Sequence, residues 1–282
     1  MNKYKFDNSI DNQTGKQKHL HTLNGQPLYG NTSVLNVISK PLTWWASGLA
    51  VAELGWQKEL NAWSKPKPTK EDIERNKIER LAKAEIGLQT ISKLNSEDYL
   101  KLLDKAYKAH SVKLDRSADA GIDMHEALEL YSNYCIENNN GIPMLFQKYK
   151  FIQVEIFAKW AEKNVKRFIA VEGYCYSEKL WTGGIFDCLY EDSEGKFVML
   201  DFKSSKEAYL SHFIQDAALD IEVSENGILD TEGNLIYQLE KPISYYAVLP
   251  FGAENPEPQF YYDLVGAKKG FEAALTLHKL MS

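Results

Sequence analysis

From Val165 to Ser205 the apolar residues recur at every second position, and this pattern limits the fold more than any other feature of the chain. Three stretches carry the pattern, with short connections between them: VKRFIAVEGYCYS, LWTGGIFDCLYE and FVMLDFKSS. Alternation of this kind is typical of β-strands that bury one face. The sequence therefore predicts three successive strands in the middle of the chain.

Most of the residues before these strands have helical spacing instead. Helices are predicted after Pro41, in KEDIERNKIERLAKAEIGLQTISKL with Ile73, Ile78, Leu81 and Ile86 as the apolar stripe, from Ser96, from Ser117 and from Pro143. A helix in EAYLSHFIQDAALDIE, three further strands and a closing helix from about Gly266 follow the central strands. Helices followed by a small sheet form an α+β arrangement. We predict a mostly helical region in residues 1–116 and a core of residues 117–282 in which helices flank a small mixed β-sheet.

The second and third strands hold three charged side chains in otherwise apolar runs. If DSEGK (192–196) is a five-residue hairpin loop, an allowed length, Asp187 faces Asp201 across the pair. Directly opposed side chains project from one face, about 5 Å apart. Lys203 lies two residues beyond Asp201 and shares that face. An odd loop length gives this register, whereas an even length would send the two acids to opposite faces.

Two carboxylates this close repel each other unless one is protonated or a cation lies between them. Lys203 supplies only one positive charge. A hard divalent cation suits converging carboxylates, so we predict Mg²⁺, with Mn²⁺ as a substitute. Gly183 and Gly184 precede the first acid, and their missing side chains leave room for a bulky ligand. The alternative is an exposed strand face with ordinary surface charges.

The segment GGIFD followed by LDFKSS resembles the Gly-x-x-Asp and Asp-x-Lys elements of the PD-(D/E)XK nuclease superfamily. The resemblance is closest to its RecB-like and phage-type exonuclease branch. It implies a restriction-endonuclease-like core in which Asp187 and Asp201 hold Mg²⁺. It also implies that Lys203 positions or activates the attacking water.

Three further segments resemble the same branch, in the same order along the chain. AGIDMHEAL resembles its upstream helix, which implies that His125 is an additional metal ligand. AVEGYCYS resembles its first core strand and places Glu172 beside the metal, and FIQDAAL resembles the helix in which Gln215 contacts DNA or orients the site. The branch often has a tyrosine four residues after this glutamine, where this chain has Leu219. The residue patterns alone also allow a packed or surface histidine and a strand-end salt bridge of the glutamate.

TSVLNVISKPLTWWA is similar to an N-terminal element of phage and mitochondrial exonucleases of this branch, which lies along the DNA strand. The similarity implies DNA contacts by Ser33, Lys40, Trp44 and Trp45, and we add Lys206, which follows the Asp-x-Lys element. Tryptophans stack on bases in single-strand binding proteins. Adjacent tryptophans in an amphipathic helix are also often core residues, so both interpretations stay open.

The composition limits the class of protein and its partners. A formal net charge of -6 argues against a protein that coats nucleic acid non-specifically. Cys135, Cys175 and Cys188 do not match a disulfide framework or the four-cysteine iron–sulfur cluster of some branch members, so we predict buried thiols and no cluster. No apolar run reaches the roughly 20 residues of a membrane span, and the polar N-terminus has no signal-peptide core. We expect no membrane partner and a cytoplasmic location, in a prokaryote or a phage-infected host.

The resemblance implies magnesium-dependent hydrolysis of phosphodiester bonds in DNA. We expect an exonuclease that prefers single strands or a free end, of phage or prokaryotic recombination or repair type. It would act alone, as a homo-oligomer or with a recombination partner protein. The alternatives are a structure-specific endonuclease on the same core, a non-catalytic nucleic-acid-binding subunit, and a metal-dependent hydrolase of another substrate. The last stays open because two acids and a lysine specify a metal and not DNA.

Overall fold

The computed structural model describes residues 3–10, 19–38, 43–60, 67–145 and 151–281, with the backbone alone at 43–45 and 114–121. The helices are α1 (Asn31–Leu35), α2 (Thr43–Ala52), α3 (Lys70–Ile91), α4 (Ser96–Asn139), α5 (Ile152–Asn164), α6 (Leu210–Asn226) and α7 (Leu264–Met281), with a 3₁₀ turn at Asn36–Ile38. The strands are β1 (Tyr4–Asp7), β2 (Leu20–Leu23), β3 (Gln26–Pro27), β4 (Tyr29–Gly30), β5 (Val165–Ser177), β6 (Thr182–Asp192), β7 (Phe197–Lys203), β8 (Ile228–Leu229), β9 (Leu235–Tyr237), β10 (Ile243–Pro250) and β11 (Gln259–Tyr261). The protein is thus of mixed α+β class, as predicted.

The large sheet has the strand order β11-β10-β7-β6-β5-β8-β9, and β4 also pairs with β6. The β10–β7 and β4–β6 pairings are parallel and the other pairings are antiparallel, so the sheet is mixed. β1, β2 and β3 form a separate antiparallel sheet. The three central strands predicted from the alternating pattern are β5, β6 and β7.

The hairpin of β6 and β7 has the predicted register. Cys188 pairs with Leu200 and Leu189 with Met199. The loop is tight because Asp192 Oδ1 accepts the amide hydrogens of Glu194 and Lys196. The odd loop length therefore sets which side chains of the two strands meet.

Each face of the large sheet packs on its own helices. On one face, Leu200 and Phe202 of β7 pack in a cluster with Leu128 of α4 and Phe157 of α5. On the other face, a second cluster joins β7 to α6 and contains Phe197, Met199, Phe213 and Ala217. Successive residues of β7 thus alternate between α4–α5 and α6, as the period of a strand requires.

The residue contacts divide the chain into two compact units, Lys40–Asp119 and the combination of Met1–Ser39 with Ala120–Ser282. The boundary inside α4 lies near the predicted one at 116/117. The first 39 residues differ from the predicted division, because they group with the sheet and contribute β4 to it. No helix in the described ranges has the length and apolar character needed to cross a membrane.

The helices differ from the prediction at two places. α4 is one continuous helix, whereas the sequence predicted separate helices beginning at Ser96 and Ser117. α5 begins at Ile152 and not at Pro143; residues 146–150 lie outside the described ranges. In the unit of residues 40–119, Thr69 and Asp72 form a capping box at the start of α3.

The apolar stripe predicted for residues 70–94 is largely exposed. The exposed fractions of Ile78, Leu81 and Ile86 in α3 are 62%, 68% and 63%. The apolar spacing correctly predicted the helix, but these three residues are not core residues.

Candidate metal centre at a gap in the sheet

One edge of β6 is shared by two partner strands. Residues 188–191 pair with β7, and residues 182–183 pair with β4. Residues 184–187 lie between these two pairings and end at Asp187. The candidate site is built around this gap.

Asp187 lies where the backbone pairing of β6 and β7 ends, and its side chain binds the backbone of β7 there. Its Oδ2 accepts a hydrogen bond from the amide of Phe202 at 2.6 Å and lies 3.0 Å from His125 Nε2. Burial alone would raise the pKa of Asp187, but the hydrogen bond with His125 and the charge of Lys203 lower it below its usual value. Asp187 is therefore an ionised carboxylate fixed at the end of the hairpin.

His125 of α4 is held by acids on both ring nitrogens. Its Nδ1 contacts Glu129 Oε1, one helical turn further on, and its Nε2 contacts Asp187. Burial opposes the charge of His125, but the hydrogen bonds with these two acids raise its pKa to about 10. The sequence prediction missed Glu129, although a carboxylate four residues after a histidine on a helix shares its face.

Asp201 and Lys203 form an ion pair that leaves one carboxylate oxygen over. Lys203 Nζ lies 2.5 Å from Asp201 Oδ1, whereas Asp201 Oδ2 is buried and has no hydrogen-bond partner among the described residues. Burial and the charge of Asp187 raise the pKa of Asp201 to about 7 against the effect of Lys203. Burial would lower the pKa of Lys203, but Asp201 and Asp187 raise it to about 12. Lys203 is thus a charged group in this arrangement.

The three predicted residues come together differently from the prediction. Asp201 and Lys203 alternate with Leu200 and Phe202 on β7 and therefore face α6. Asp187 contacts His125 of α4 and is within electrostatic range of Asp201 and Lys203. The contact of Asp187 with α4 is the part of the arrangement that the prediction of a single shared face did not include.

Glu172 lies in a distorted part of β5. Its φ is 50°, a left-handed conformation that costs energy for a residue with a side chain. Burial, the charge of Glu129 and a hydrogen bond with Glu129 raise the pKa of Glu172 to about 7. The distortion of the strand brings its side chain within electrostatic reach of His125 and Asp187, as the prediction of a carboxylate beside the site expects.

Gln215 and Ser33 line one cavity of about 190 Å³ beside the gap. The other lining residues are His19, His21, Gly30, Asn31, Thr32, Gly183, Gly184, Ile185 and Leu219. A side chain added at Gly184 would overlap Asn31 and Leu219, and one added at Gly183 would press on His21. The two glycines therefore make room for side chains of the protein itself and also line the cavity.

The other predicted DNA contacts are described in part. Lys206 follows β7 and is exposed. Lys40 lies outside the described residues, and so do the side chains of Trp44 and Trp45, whose backbone belongs to α2. Cys135, Cys175 and Cys188 are buried free thiols, as predicted.

Several donors at the gap pair with one another, and no three His, Cys, Asp or Glu side chains of the described residues are arranged as a ready metal site. The charges nevertheless fit a cation. Electrostatic interactions link His125 and Lys203 to a larger number of acids, which are Glu129, Glu172, Asp187, Asp201 and Asp216. Asp201 Oδ2 and both oxygens of Asp216 are buried without a partner in the described part of the chain. Buried carboxylates that lack partners are the oxygen donors that a hard divalent cation takes.

A scan of protein-family models finds no match to this chain, and a search of curated proteins finds no similar sequence.

Proposed function

We propose that this protein is a Mg²⁺-dependent deoxyribonuclease with a restriction-endonuclease-like core. The observation that supports the proposal is the buried, unpaired Oδ2 of Asp201, next to the Asp201–Lys203 ion pair and within electrostatic range of Asp187. An acid in this environment is destabilised unless a cation offsets its charge. Asp187 and Asp201 are the residues that would hold the ion, and His125 would join them once its Nε2 loses the proton that it shares with Asp187.

When bound, Mg²⁺ supplies a Lewis acid that polarises a phosphate oxygen and acidifies neighbouring water. The protein's own groups orient this chemistry. The amide of Phe202 and the ring of His125 hold the carboxylate of Asp187 in one orientation. Glu129 contacts the second ring nitrogen of His125 and so fixes the imidazole.

Lys203 supplies a positive charge beside the reacting phosphate. Its high pKa favours electrostatic stabilisation of the transition state over proton abstraction. Glu172, with a pKa of about 7, is an acceptor for a proton of the attacking water. Gln215 and Ser33 would contact the DNA strand at the cavity that they both line.

The choice of DNA as the substrate depends on the resemblance and not on the charges. The same resemblance supports an exonuclease that prefers single strands or free ends. In this proposal the helices of residues 40–119 guide the strand, with Trp44, Trp45 and Lys40 as contacts. Lys206 would contact the backbone of the DNA close to Lys203.

The test is a degradation assay on end-labelled linear DNA and on covalently closed circular DNA, single- and double-stranded, with Mg²⁺ or with EDTA. We expect Mg²⁺-dependent release of labelled nucleotides from linear single strands and no cleavage of circles. Lys203→Ala should lower the rate by roughly a hundredfold or more, because it removes charge stabilisation of the transition state. Lys196→Ala is the matched control, because Lys196 is an exposed lysine of the hairpin loop that pairs only with Glu194 among the described ion pairs.

The outcomes separate the alternatives. Cleavage of circular DNA would indicate an endonuclease on this core. DNA binding without Mg²⁺-dependent cleavage would indicate a non-catalytic binding subunit. Neither binding nor cleavage of any DNA, at a metal concentration that saturates the protein, would refute the proposed substrate.

A further inference from the structure

Asp216 of α6 is a buried acid that the proposed chemistry does not yet use. Its side chain is fully buried, with 0% exposure. Neither of its carboxylate oxygens has a hydrogen-bond partner among the described residues. Buried polar groups in proteins are almost always satisfied, so an unsatisfied carboxyl needs an explanation such as an ion.

The fold brings Asp216 within electrostatic range of Asp201. Met199, two residues before Asp201 on β7, packs with Phe213 and Ala217 of α6 in one cluster. Asp201 has the same orientation as Met199 by strand alternation, and Asp216 precedes Ala217 on the helix. Asp201 is the charged neighbour with the largest effect on Asp216, whose pKa burial raises well above its usual range.

The nearby cations are already committed to other acids. Lys203 pairs with Asp201 Oδ1. Lys268 of α7 pairs with Asp220 at 2.7 Å. Among the ion pairs of the described residues, none satisfies Asp216. Asp201 of β7 and Asp216 of α6 are thus electrostatic neighbours, and each has carboxylate oxygen without a partner among the described residues.

We propose that Asp216 is a further ligand of a divalent cation, shared with Asp201, so that the ion joins β7 to α6. The inference rests on the proposed function, since it adds a ligand to the same gap. Asp201 and Asp216 both offer carboxylate oxygens, which favour Mg²⁺ or Mn²⁺ over Zn²⁺. The ligand set thus extends from α4 through the sheet to α6.

The experiment is a calorimetric titration of the full-length protein with Mn²⁺, without DNA, for the wild type and Asp216→Asn. We expect Asp216→Asn to weaken Mn²⁺ binding by about tenfold or more. Removal of a residue that only orients a metal ligand already lowers metal affinity by about tenfold, and removal of a ligand should lower it at least as much. Glu222→Gln is the matched control, because Glu222 is a buried acid of the same helix that already has hydrogen-bond partners. Its Mn²⁺ affinity should equal that of the wild type.

The results separate this inference from the proposed function. A wild-type protein that binds no Mn²⁺ would contradict both. Equal Mn²⁺ affinities of the wild type and Asp216→Asn would overturn the role of Asp216 and leave the metal at Asp187 and Asp201. If Asp216→Asn does not fold, an anomalous-scattering map of wild-type crystals soaked in Mn²⁺ decides: a peak in contact with Asp216 supports the inference, and a peak that contacts only other residues overturns it.

Discussion

The two halves of helix α6 each contain a buried acid, and the two acids differ in whether they have hydrogen-bond partners. Toward its C-terminal end, Asp220 accepts hydrogen bonds from Tyr246 at 2.8 Å and from Ser224 at 3.0 Å, and it pairs with Lys268 at 2.7 Å. One turn earlier, Asp216 has no such partner among the described residues. Both side chains are at most 1% exposed, so burial does not explain the difference.

The contrast extends to the strands that the helix covers. Glu222 accepts hydrogen bonds from Thr182 at 2.7 Å and from Asn31 at 3.0 Å, which ties α6 to β6 and to α1. Asp201, at the other end, retains a free buried oxygen. A satisfied buried acid stabilises the fold, whereas an unsatisfied one costs stability and is retained where it binds something. The comparison thus separates structural acids from candidate ligands on one helix.

Asp220→Asn should give the largest effect on stability. The change leaves Lys268 without its anionic partner and weakens the bond with Tyr246, so we expect a loss of about 3 kcal/mol in the free energy of unfolding. Asp216→Asn replaces a buried acid whose oxygens have no partner among the described residues, so it should leave the free energy of unfolding of the metal-free protein unchanged or higher. Urea denaturation of both variants in EDTA measures the difference. Equal losses in the two variants would remove the distinction between the two halves of the helix.

Glu222→Gln should change the pH dependence of stability. Burial raises the pKa of Glu222 to about 8 although three donors lower it in part. The folded state therefore holds a proton that the unfolded state has released above about pH 4.5. The free energy of unfolding should fall as the pH rises from about 5 to 8, by at most about 1.4 kcal/mol per pH unit from this group.

The measurement for Glu222 is urea denaturation at several pH values across this range, with the wild type and Glu222→Gln side by side. In Glu222→Gln the free energy of unfolding should fall less steeply with pH, because glutamine does not titrate. Parallel pH profiles of the two proteins would show that the hydrogen bonds keep Glu222 ionised throughout.

Glu172→Gly should give the smallest effect, with the opposite sign. Glycine adopts a positive φ without strain, and the change removes both the repulsion and the hydrogen bond between Glu172 and Glu129. We expect the free energy of unfolding to rise by roughly 1 kcal/mol while the Mg²⁺-dependent activity falls. Val171→Gly, at the preceding residue of the strand, is the control and should lose stability. A loss of stability in Glu172→Gly would mean that this acid supports the fold and is not held there for function.

The local order of the central strands could be predicted from the sequence. The period of two predicts β5, β6 and β7, and the odd loop between Asp192 and Lys196 predicts the pairing of Cys188 with Leu200. Both depend on residues that are close in sequence. Strand β4 has only two residues, too few to show a period, so the pairing of the first 39 residues with the sheet could not be predicted from the sequence.

The arrangement of the site could be predicted only in part. Asp187, Asp201 and Lys203 are identified by their charge in apolar strands, but the bond of Asp187 with α4 depends on how the helix packs. Asp216 was not predicted as a site residue, because an acid in FIQDAAL is expected on the exposed face of the helix. Its position between Phe213 and Ala217 is in fact buried. Whether a buried acid has a partner depends on the tertiary structure and cannot be predicted from the periodicity of the sequence.

The melting temperature of the protein in EDTA and in increasing Mg²⁺ tests most directly whether the acids at the gap bind a cation. If the unsatisfied acids at the gap form a cation site, Mg²⁺ binds the folded state and raises the melting temperature in a concentration-dependent way. Asp201→Asn should abolish the increase, and Glu222→Gln should retain it. A melting temperature of the wild type that does not respond to Mg²⁺ or Mn²⁺ would show that the gap is not a cation site. An equal response in Asp201→Asn would show that Asp201 is not a ligand.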